Sequence, residues 1–165
     1  LRYKGKGGKL REVTLSDGSL TRLVRKMQDL PGQNLFKYVD EDGDVQAVGS
    51  SDVNEYLVET MGERFTAKNF RTWHGSVMAF QCLLEGEGKL PIKALLDCVA
   101  DRLGNTPAVT RKSYIHPAVI DLVERQEEWR ADIRLPRATK WLRPEERGLI
   151  ELLQNSPAAA ELLAA

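Results

Sequence analysis

Hydrophobic side chains recur at intervals of three and four residues through most of the chain after residue 50, and this spacing predicts amphipathic helices. The clearest case follows Thr66, where the apolar positions are Phe70, Trp73, Val77, Phe80 and Leu84. Capping and turn residues predict where the other helices begin and end. These helices are expected from Ser51 or Asp52 to Met61, from Pro91 to Gly104, from Thr106-Pro107, from Pro117 to about Glu128, from Pro144, and from Pro157 to Ala165.

The first fifty residues show a different pattern, in which short alternating segments flank glycine-rich or aspartate-rich turns. Residues 1–4 and 10–15 are predicted to form a hairpin around a tip of sequence GKGGK. A helix is expected from an N-cap at Ser19 to about Asp29, and residues 35–39 and 45–48 form either short strands or an irregular loop. The predicted fold class is α+β, mainly α-helical, with a small antiparallel β-sheet or hairpin on the N-terminal side.

Composition is that of an ordinary globular protein and excludes several classes. The chain has 165 residues, 42% of them hydrophobic, with 24 basic and 24 acidic side chains, which fits one domain or one domain with a small appendage. The longest charge-free stretch has 13 residues, from Thr72 to Leu84, too short to span a bilayer. No secretory signal is visible, so a cytoplasmic location is expected. The two cysteines and two histidines form no metal-ligand motif, and no metal is predicted.

The charge balance hides strong local differences. Residues 1–30 carry a net charge of +5, residues 31–65 a net charge of −6, residues 66–75 a net charge of +2 and residues 102–116 a net charge of +3. If the three basic segments meet in the fold, they form a cationic site suited to a phosphate-bearing partner. The alternative is a solvated mosaic of surface charges.

The GKGGK tip presents Lys6 and Lys9. It lacks the Lys-Ser/Thr ending of a nucleotide-binding loop, and a strand rather than a helix is predicted to follow it. Two interpretations remain: a hairpin whose lysines approach a ligand, and a solvent-exposed turn.

Cations also cluster around two later segments. Lys68 and Arg71 are three residues apart near the positive end of a predicted helix, where two cations oppose the helix dipole. Either they bind an anion, or both side chains reach a nearby carboxylate. Tyr114 follows Arg111 and Lys112 closely. It is either a half-buried packing residue or a nucleophile, and because the ordinary pKa of tyrosine is about 10, a nucleophile would need nearby cations or a base.

Four segments resemble the type IB DNA topoisomerases of the bacterial and poxvirus kind. They are the GKGGK hairpin, LFKYVDEDG followed by SSDVNEYL, TAKNFRTW, and LGNTPAVTRKSYIHP, and they occur in the family's order over about residues 2–122. The broader resemblance is to tyrosine recombinases, whose LGH and Y-x-H motifs are similar to the segments around Asn105 and Tyr114.

The resemblance implies a mechanism and a set of site residues. Tyr114 would attack a DNA phosphodiester to give a 3′-phosphotyrosyl link, Lys6 would be the general acid for the leaving 5′-oxygen, and Arg71 would grip the nonbridging oxygens. Asn105 stands where other members carry His and would donate a neutral hydrogen bond. Lys68 and three further cations would contact DNA; these three are Lys9, Arg111 and Lys112. Neither a metal nor a nucleotide cofactor is implied.

The resemblance also implies how the chain is organised. Residues 1–122 would be the catalytic core, and residues 123–165 a helical extension packed on it or trailing from it. The family uses a second catalytic arginine upstream of the hairpin lysine, and this chain begins at Leu1, so a fragment lacking that arginine is expected. The expected partner is double-stranded DNA, bound by a monomer. The alternatives are a tyrosine recombinase and a non-catalytic helical DNA-binding module.

Overall fold

The computed structural model describes residues 1–5, 8, 10–159 and 162, and the chain divides into two units, Leu1–Phe65 and Thr66–Ala165. Two of the predicted site residues, Lys6 and Lys9, lie outside the described residues. So does most of the helix predicted from Pro157 to Ala165.

The first unit contains two antiparallel strand pairs and two helices, which confirms the predicted fold class. In the first pair Tyr3 lies opposite Arg11, and in the second Tyr38 lies opposite Gln46. Residues 37–39 and 45–47 therefore form strands rather than an irregular loop. The elements are β1 (Arg2–Lys4), β2 (Leu10–Glu12), α1 (Gly18–Gln28), β3 (Lys37–Val39), β4 (Val45–Ala47) and α2 (Ser50–Met61).

Helix α1 begins earlier than predicted, because its N-cap is Asp17 and not Ser19. Oδ1 of Asp17 accepts hydrogen bonds from the backbone N–H groups of Ser19 and Leu20, each at 2.8 Å. One carboxylate oxygen thus satisfies two of the amides that a helix start leaves unpaired.

The second unit is helical, and its core forms where α3 (Ala67–Glu85) meets α4 (Ile92–Leu103), α6 (Pro117–Asp121) and α8 (Pro144–Gln154). Phe80 and Leu83 of α3 are fully buried, as are Val99 of α4 and Leu149 of α8. The long predicted helix after Thr66 is confirmed, although Phe70 near its start is 41% exposed. The helices are α3 (Ala67–Glu85), α4 (Ile92–Leu103), α5 (Pro107–Ser113), α6 (Pro117–Asp121), α7 (Gln126–Asp132) and α8 (Pro144–Gln154).

The prediction of one continuous helix from Pro117 to about Glu128 is wrong, because turns at residues 122–125 divide this stretch into α6 and α7. The side chain of Gln126 donates to the carbonyl of Val123 at 2.7 Å. It also accepts from the N–H of Leu90 at 2.8 Å and donates to the Leu90 carbonyl at 2.9 Å. This buried amide ties the turn to a segment 36 residues away, a contact that helical periodicity does not reveal.

The segment after residue 122 packs on the core. Trp129 meets the Phe80 ring edge-on at a centroid distance of 5.1 Å, and Leu149 is fully buried. The boundary between units falls after Phe65, whereas the division into residues 1–122 and 123–165 was drawn from motifs. That division remains a prediction about function.

Cys82 and Cys98 are free thiols, half-buried, with their Sγ atoms 2.8 Å apart. Burial, reinforced by the neighbouring thiol, raises the pKa of Cys82 to about 12. Within the described ranges no three His, Cys, Asp or Glu side chains group as metal ligands would. No helix in those ranges is long and apolar enough to cross a membrane.

Candidate active site

Helix α3 supplies the first part of the site at its N-terminus. Thr66 is the N-cap, and Oδ1 of Asn69 accepts hydrogen bonds from both the Thr66 N–H at 3.0 Å and its hydroxyl at 2.7 Å. This reciprocal cap fixes where the helix begins. As a result Lys68 and Arg71 lie in the first turns of α3, and both are exposed.

The end of α4 supplies the second part. Gly104 closes the helix in the left-handed conformation at a φ of 68°, and its N–H bonds to the carbonyls of Ala100 and Asp101. A residue with a Cβ is strained at such a φ, which is why glycine suits this position. The reversal leads directly into Asn105, which is half-buried.

Helix α5 presents Tyr114 at its C-terminal cap position. The helix starts at the predicted Thr106-Pro107 signal, where the Thr106 hydroxyl accepts from the Val109 N–H at 3.3 Å. The Tyr114 N–H donates to the carbonyl of Thr110 at 3.0 Å. Tyr114 is half-buried.

One backbone carbonyl joins these parts. The Leu103 oxygen accepts from Nη2 of Arg71 at 2.8 Å and from Nδ2 of Asn105 at 3.3 Å. The guanidinium carbon of Arg71 lies 5.5 Å from the centroid of the Tyr114 ring, within cation–π range. Arg71, Asn105 and Tyr114, which the family resemblance implies as site residues, therefore lie together in the second unit.

Three α3 residues that the sequence analysis did not single out hold the backbone around Tyr114. The Thr72 hydroxyl donates to the Ser113 carbonyl at 3.2 Å, and the Ser76 hydroxyl accepts from the His116 N–H at 2.9 Å. A Cβ on Gly75 would lie only 2.3 Å from the Tyr114 carbonyl oxygen. The available sequence signal was the Gly75-Ser76 pair, two small residues inside an otherwise apolar helical stretch.

Comparisons with known proteins identify the family of the chain. Residues 2–134 match a sequence model of the family described as eukaryotic DNA topoisomerase I, catalytic core. The chain belongs to the type IB DNA topoisomerases. DNA topoisomerase 1B of Acanthamoeba polyphaga mimivirus is 31% identical over 143 residues, which cover 78% of this chain and 43% of the viral protein. The chain thus spans less than half the length of this relative.

Of the remaining predicted cations, the three that the structure describes are exposed. Lys68 lies one helical turn before Arg71, while Arg111 and Lys112 occupy the last turn of α5, directly before Tyr114. None of these side chains forms an ion pair with another described residue. Within the described part of the chain these cations are thus unpaired, which suits an anion-binding surface.

His116 lies two residues after Tyr114 and was not among the site residues predicted from sequence. Its Nδ1 accepts from the Ala118 N–H at 3.2 Å and caps α6. Burial lowers the pKa of the imidazole, and the charge of Asp121 opposes that shift. A neutral ring with its proton on Nε2 fits this contact, because Nδ1 must then be the acceptor.

Proposed function

We propose that this chain carries the catalytic tyrosine of a type IB DNA topoisomerase, an enzyme that relaxes supercoils by cutting and rejoining one strand. The observation that supports it best is the placement of Tyr114 beside Arg71, with Asn105 bonded to the same Leu103 carbonyl. A phenol, a guanidinium and an amide donor on one surface suit phosphoryl transfer, because that reaction depends mainly on positioning and charge stabilisation.

In the proposed cleavage step, the Tyr114 oxygen attacks a backbone phosphorus and the bond from phosphorus to the 5′-oxygen breaks. The phenolic proton leaves to solvent, and Lys6 supplies a proton to the departing 5′-oxygen. The products are a 3′-phosphotyrosyl ester and a 5′-hydroxyl end. Rejoining is the reverse reaction, and because the ester conserves the energy of the phosphodiester, no nucleotide cofactor is required.

Arg71 and Asn105 would stabilise charge on the nonbridging oxygens. Only one hydrogen bond from the Arg71 guanidinium goes to a described residue, so N–H groups remain to grip a phosphate in the bidentate way that guanidinium geometry favours. Asn105 uses one amide N–H on the Leu103 carbonyl and has a second to offer. Its contribution is a neutral hydrogen bond.

Lys68, Lys9, Arg111 and Lys112 would contact the DNA backbone around the scissile phosphate. Such contacts are independent of sequence and weaken as salt rises. We also propose that the chain acts on double-stranded DNA as a monomer in the cytoplasm.

The test is a covalent trap. The chain is incubated in EDTA with labelled duplex DNA, and in parallel with DNA whose cleavage site carries a better leaving group than an alkoxide. Detergent then stops the reaction, and a protein–DNA band is sought. We expect a band that Tyr114→Phe abolishes, while the control Tyr56→Phe, which makes the same change at a tyrosine that is 64% exposed, retains it.

The other outcomes separate the competing functions. A non-catalytic binding module gives no band on either substrate, binds DNA equally well with Tyr114→Phe, and still gives no band when the upstream region is restored. A chain that lacks only the upstream catalytic arginine gains the band when that region is restored. A recombinase gives the band but exchanges strands between two DNA molecules instead of relaxing supercoils. Lys6→Ala should slow cleavage far more for the ordinary 5′-oxygen than for the better leaving group, and equal slowing would contradict the general-acid role.

A further inference from the structure

The segment between α7 and α8 carries an unusual concentration of positive charge. From Ile133 to Pro144 it contains four basic residues and no acidic one. Averaging hides this feature, because residues 123–165 as a whole contain seven basic and eight acidic residues. All of the segment after Arg134 lies beyond the residues that match the topoisomerase family model.

Two of the four cations bind groups within the same chain. Nη1 of Arg134 donates to the carbonyls of Ala131 and Ile133. Arg143 pairs with Glu145 at 3.2 Å and with Glu146 at 3.3 Å. The other two, Arg137 and Lys140, are exposed and form no ion pair with any described residue.

The carboxylates at the start of α8 are already engaged. Glu145 accepts a hydrogen bond from Gln81 at 2.8 Å in addition to its ion pair. Glu146 accepts from the backbone N–H of Arg143 at 2.9 Å and from its Nε at 3.3 Å. Neither acid is thus directed at Arg137 or Lys140, whose charge is left for an external anion.

The loop has a defined conformation held by specific hydrogen bonds. Nη1 of Arg147 donates to the Arg137 carbonyl at 2.7 Å. The Thr139 hydroxyl accepts from the N–H groups of Trp141 and Leu142, and the Thr139 N–H donates to the Leu142 carbonyl at 2.9 Å. A preformed loop loses little conformational entropy when it binds a partner.

Trp141 projects from this loop with 80% of its surface exposed, whereas Trp73 and Trp129 pack against the core. The ammonium of Lys140 lies 4.6 Å from the centroid of the Trp141 ring. Exposing so large an apolar side chain to water is unfavourable, and an exposed tryptophan beside cations is the combination that proteins use to bind nucleic acid strands.

We propose that residues 137–143 form an accessory DNA-binding site, in which Arg137 and Lys140 contact backbone phosphates and Trp141 packs against the sugars and bases of one strand. This inference rests on the proposed function only for the identity of the partner, DNA. The loop residues themselves take no part in the proposed cleavage step.

The loop leads into α8, whose start is joined to α3 by the hydrogen bond from Gln81 to Glu145 at 2.8 Å. Gln81 follows Arg71 by ten residues on α3, which is ~15 Å along the helix axis. The loop therefore belongs to the same unit as the candidate active site but is attached to a different part of it.

The test measures binding of the chain to a short labelled duplex with an unpaired overhang, by fluorescence anisotropy at several salt concentrations. We expect Trp141→Ala to weaken binding by about 5- to 100-fold, the range that corresponds to removing one stacking contact with an unpaired base. The double variant Arg137→Gln/Lys140→Gln should reduce the salt slope by about 1.8, from two lost phosphate contacts. The control is Lys93→Gln, an exposed lysine on α4, which should leave both affinity and slope unchanged.

A second readout does not depend on affinity. Bases that stack on an indole quench its fluorescence, so DNA should quench the emission of the chain and Trp141→Phe should abolish that quenching. If the chain binds duplex DNA but the loop variants match Lys93→Gln and quenching persists in Trp141→Phe, the accessory site is refuted and the proposed function stands. If the unaltered chain binds no duplex even at low salt, both proposals fail.

Discussion

The two units bury very different amounts of apolar surface. Among the described residues of Leu1–Phe65, the one buried side chain is Lys37, whose ammonium donates to the Gly32 carbonyl at 2.9 Å. In Thr66–Ala165, by contrast, α3, α4, α6 and α8 enclose a continuous apolar core. Large hydrophobic residues of the first unit are instead exposed, among them Tyr3, Leu10, Leu20, Leu23, Phe36, Tyr38, Val53 and Tyr56.

This difference indicates what fixes the positions of side chains in each unit. Arg71 and the residues that contact the backbone around Tyr114 lie on α3. The same helix carries Phe80 and Leu83 into the core. The first unit is organised by turns and caps, such as Asp17 on α1 and Asp52 on α2. We therefore expect substitutions in the second unit to affect stability and catalysis together, and those in the first unit to have small effects on stability.

The largest effect is expected from Phe80→Ala. Phe80 is fully buried, and removing such a ring costs about 3–5 kcal/mol of unfolding free energy. Leu23→Ala in α1 removes a side chain that is 49% exposed and should cost about 0.5 kcal/mol. Urea unfolding measures the loss of unfolding free energy in each variant. Comparable losses would contradict the conclusion that core burial stabilises the second unit more than the first.

The next largest effect is expected from Gly75→Ala. The new Cβ would lie 2.3 Å from the Tyr114 carbonyl oxygen, so backbone must move, and overpacking of this kind costs about 1–3 kcal/mol. Because the displaced backbone carries the nucleophile, the covalent trap should lose most of its band even where the variant is folded.

The matched control for this substitution is Gly18→Ala at the start of α1, where a Cβ would meet no atom within 4 Å. It should be neutral or slightly stabilising, because alanine is the better helix former. A folded Gly75→Ala variant that forms the covalent band normally would show that the close approach of α3 does not position Tyr114.

Much of the helical pattern could be predicted because its signals are local. Thr66, Gly104 and Thr106-Pro107 end or start helices through their own side chains or backbone conformation. The error at α1 has a local cause as well, since Asp17 and Ser19 can both cap a helix and the carboxylate oxygen accepts two amides.

The contacts that build the site could not be predicted in this way. Arg71 reaches the Leu103 carbonyl, to which Asn105 also bonds, across 32 residues of sequence. Gln126 bonds to Leu90 across 36 residues. Charge counting over long windows also concealed the loop that carries Arg137 and Lys140. Sequence motifs selected Arg71, Asn105 and Tyr114, and the fold brings them together, while their catalytic roles remain predictions.

A smaller effect is expected from pH, through His116. Burial lowers its pKa below the ordinary value of about 6.5, so the unfolded chain binds the proton more readily than the folded one. Stability from this group is complete above pH ~6.5 and is lost as the pH falls toward the folded-state pKa. The slope is at most about 1.4 kcal/mol per pH unit, the limit for one proton.

His116→Asn sharpens this assignment, because an asparagine can still accept from the Ala118 N–H at the N-cap but does not titrate. We expect it to flatten the dependence of the melting temperature on pH between 7 and 5, by comparison with His74→Asn at the exposed histidine. An unchanged slope in His116→Asn would place the pH dependence in another group.

The smallest effect is expected at Thr110, which carries the one buried, unpaired side-chain polar group among the described residues. Its hydroxyl is fully buried and has no hydrogen-bond partner among the described residues. A buried, unpaired hydroxyl carries a desolvation cost, so Thr110→Val, in which the new side chain has nearly the same shape, should be neutral or stabilise the fold by up to about 1 kcal/mol.

Thr72→Val is the contrasting change, because it removes the hydrogen bond to the Ser113 carbonyl and should destabilise the fold by about 1 kcal/mol. Chemical unfolding measures the change in the free energy of unfolding for both variants. A loss of stability in Thr110→Val would mean that the Thr110 hydroxyl does have a hydrogen-bond partner, such as a buried water.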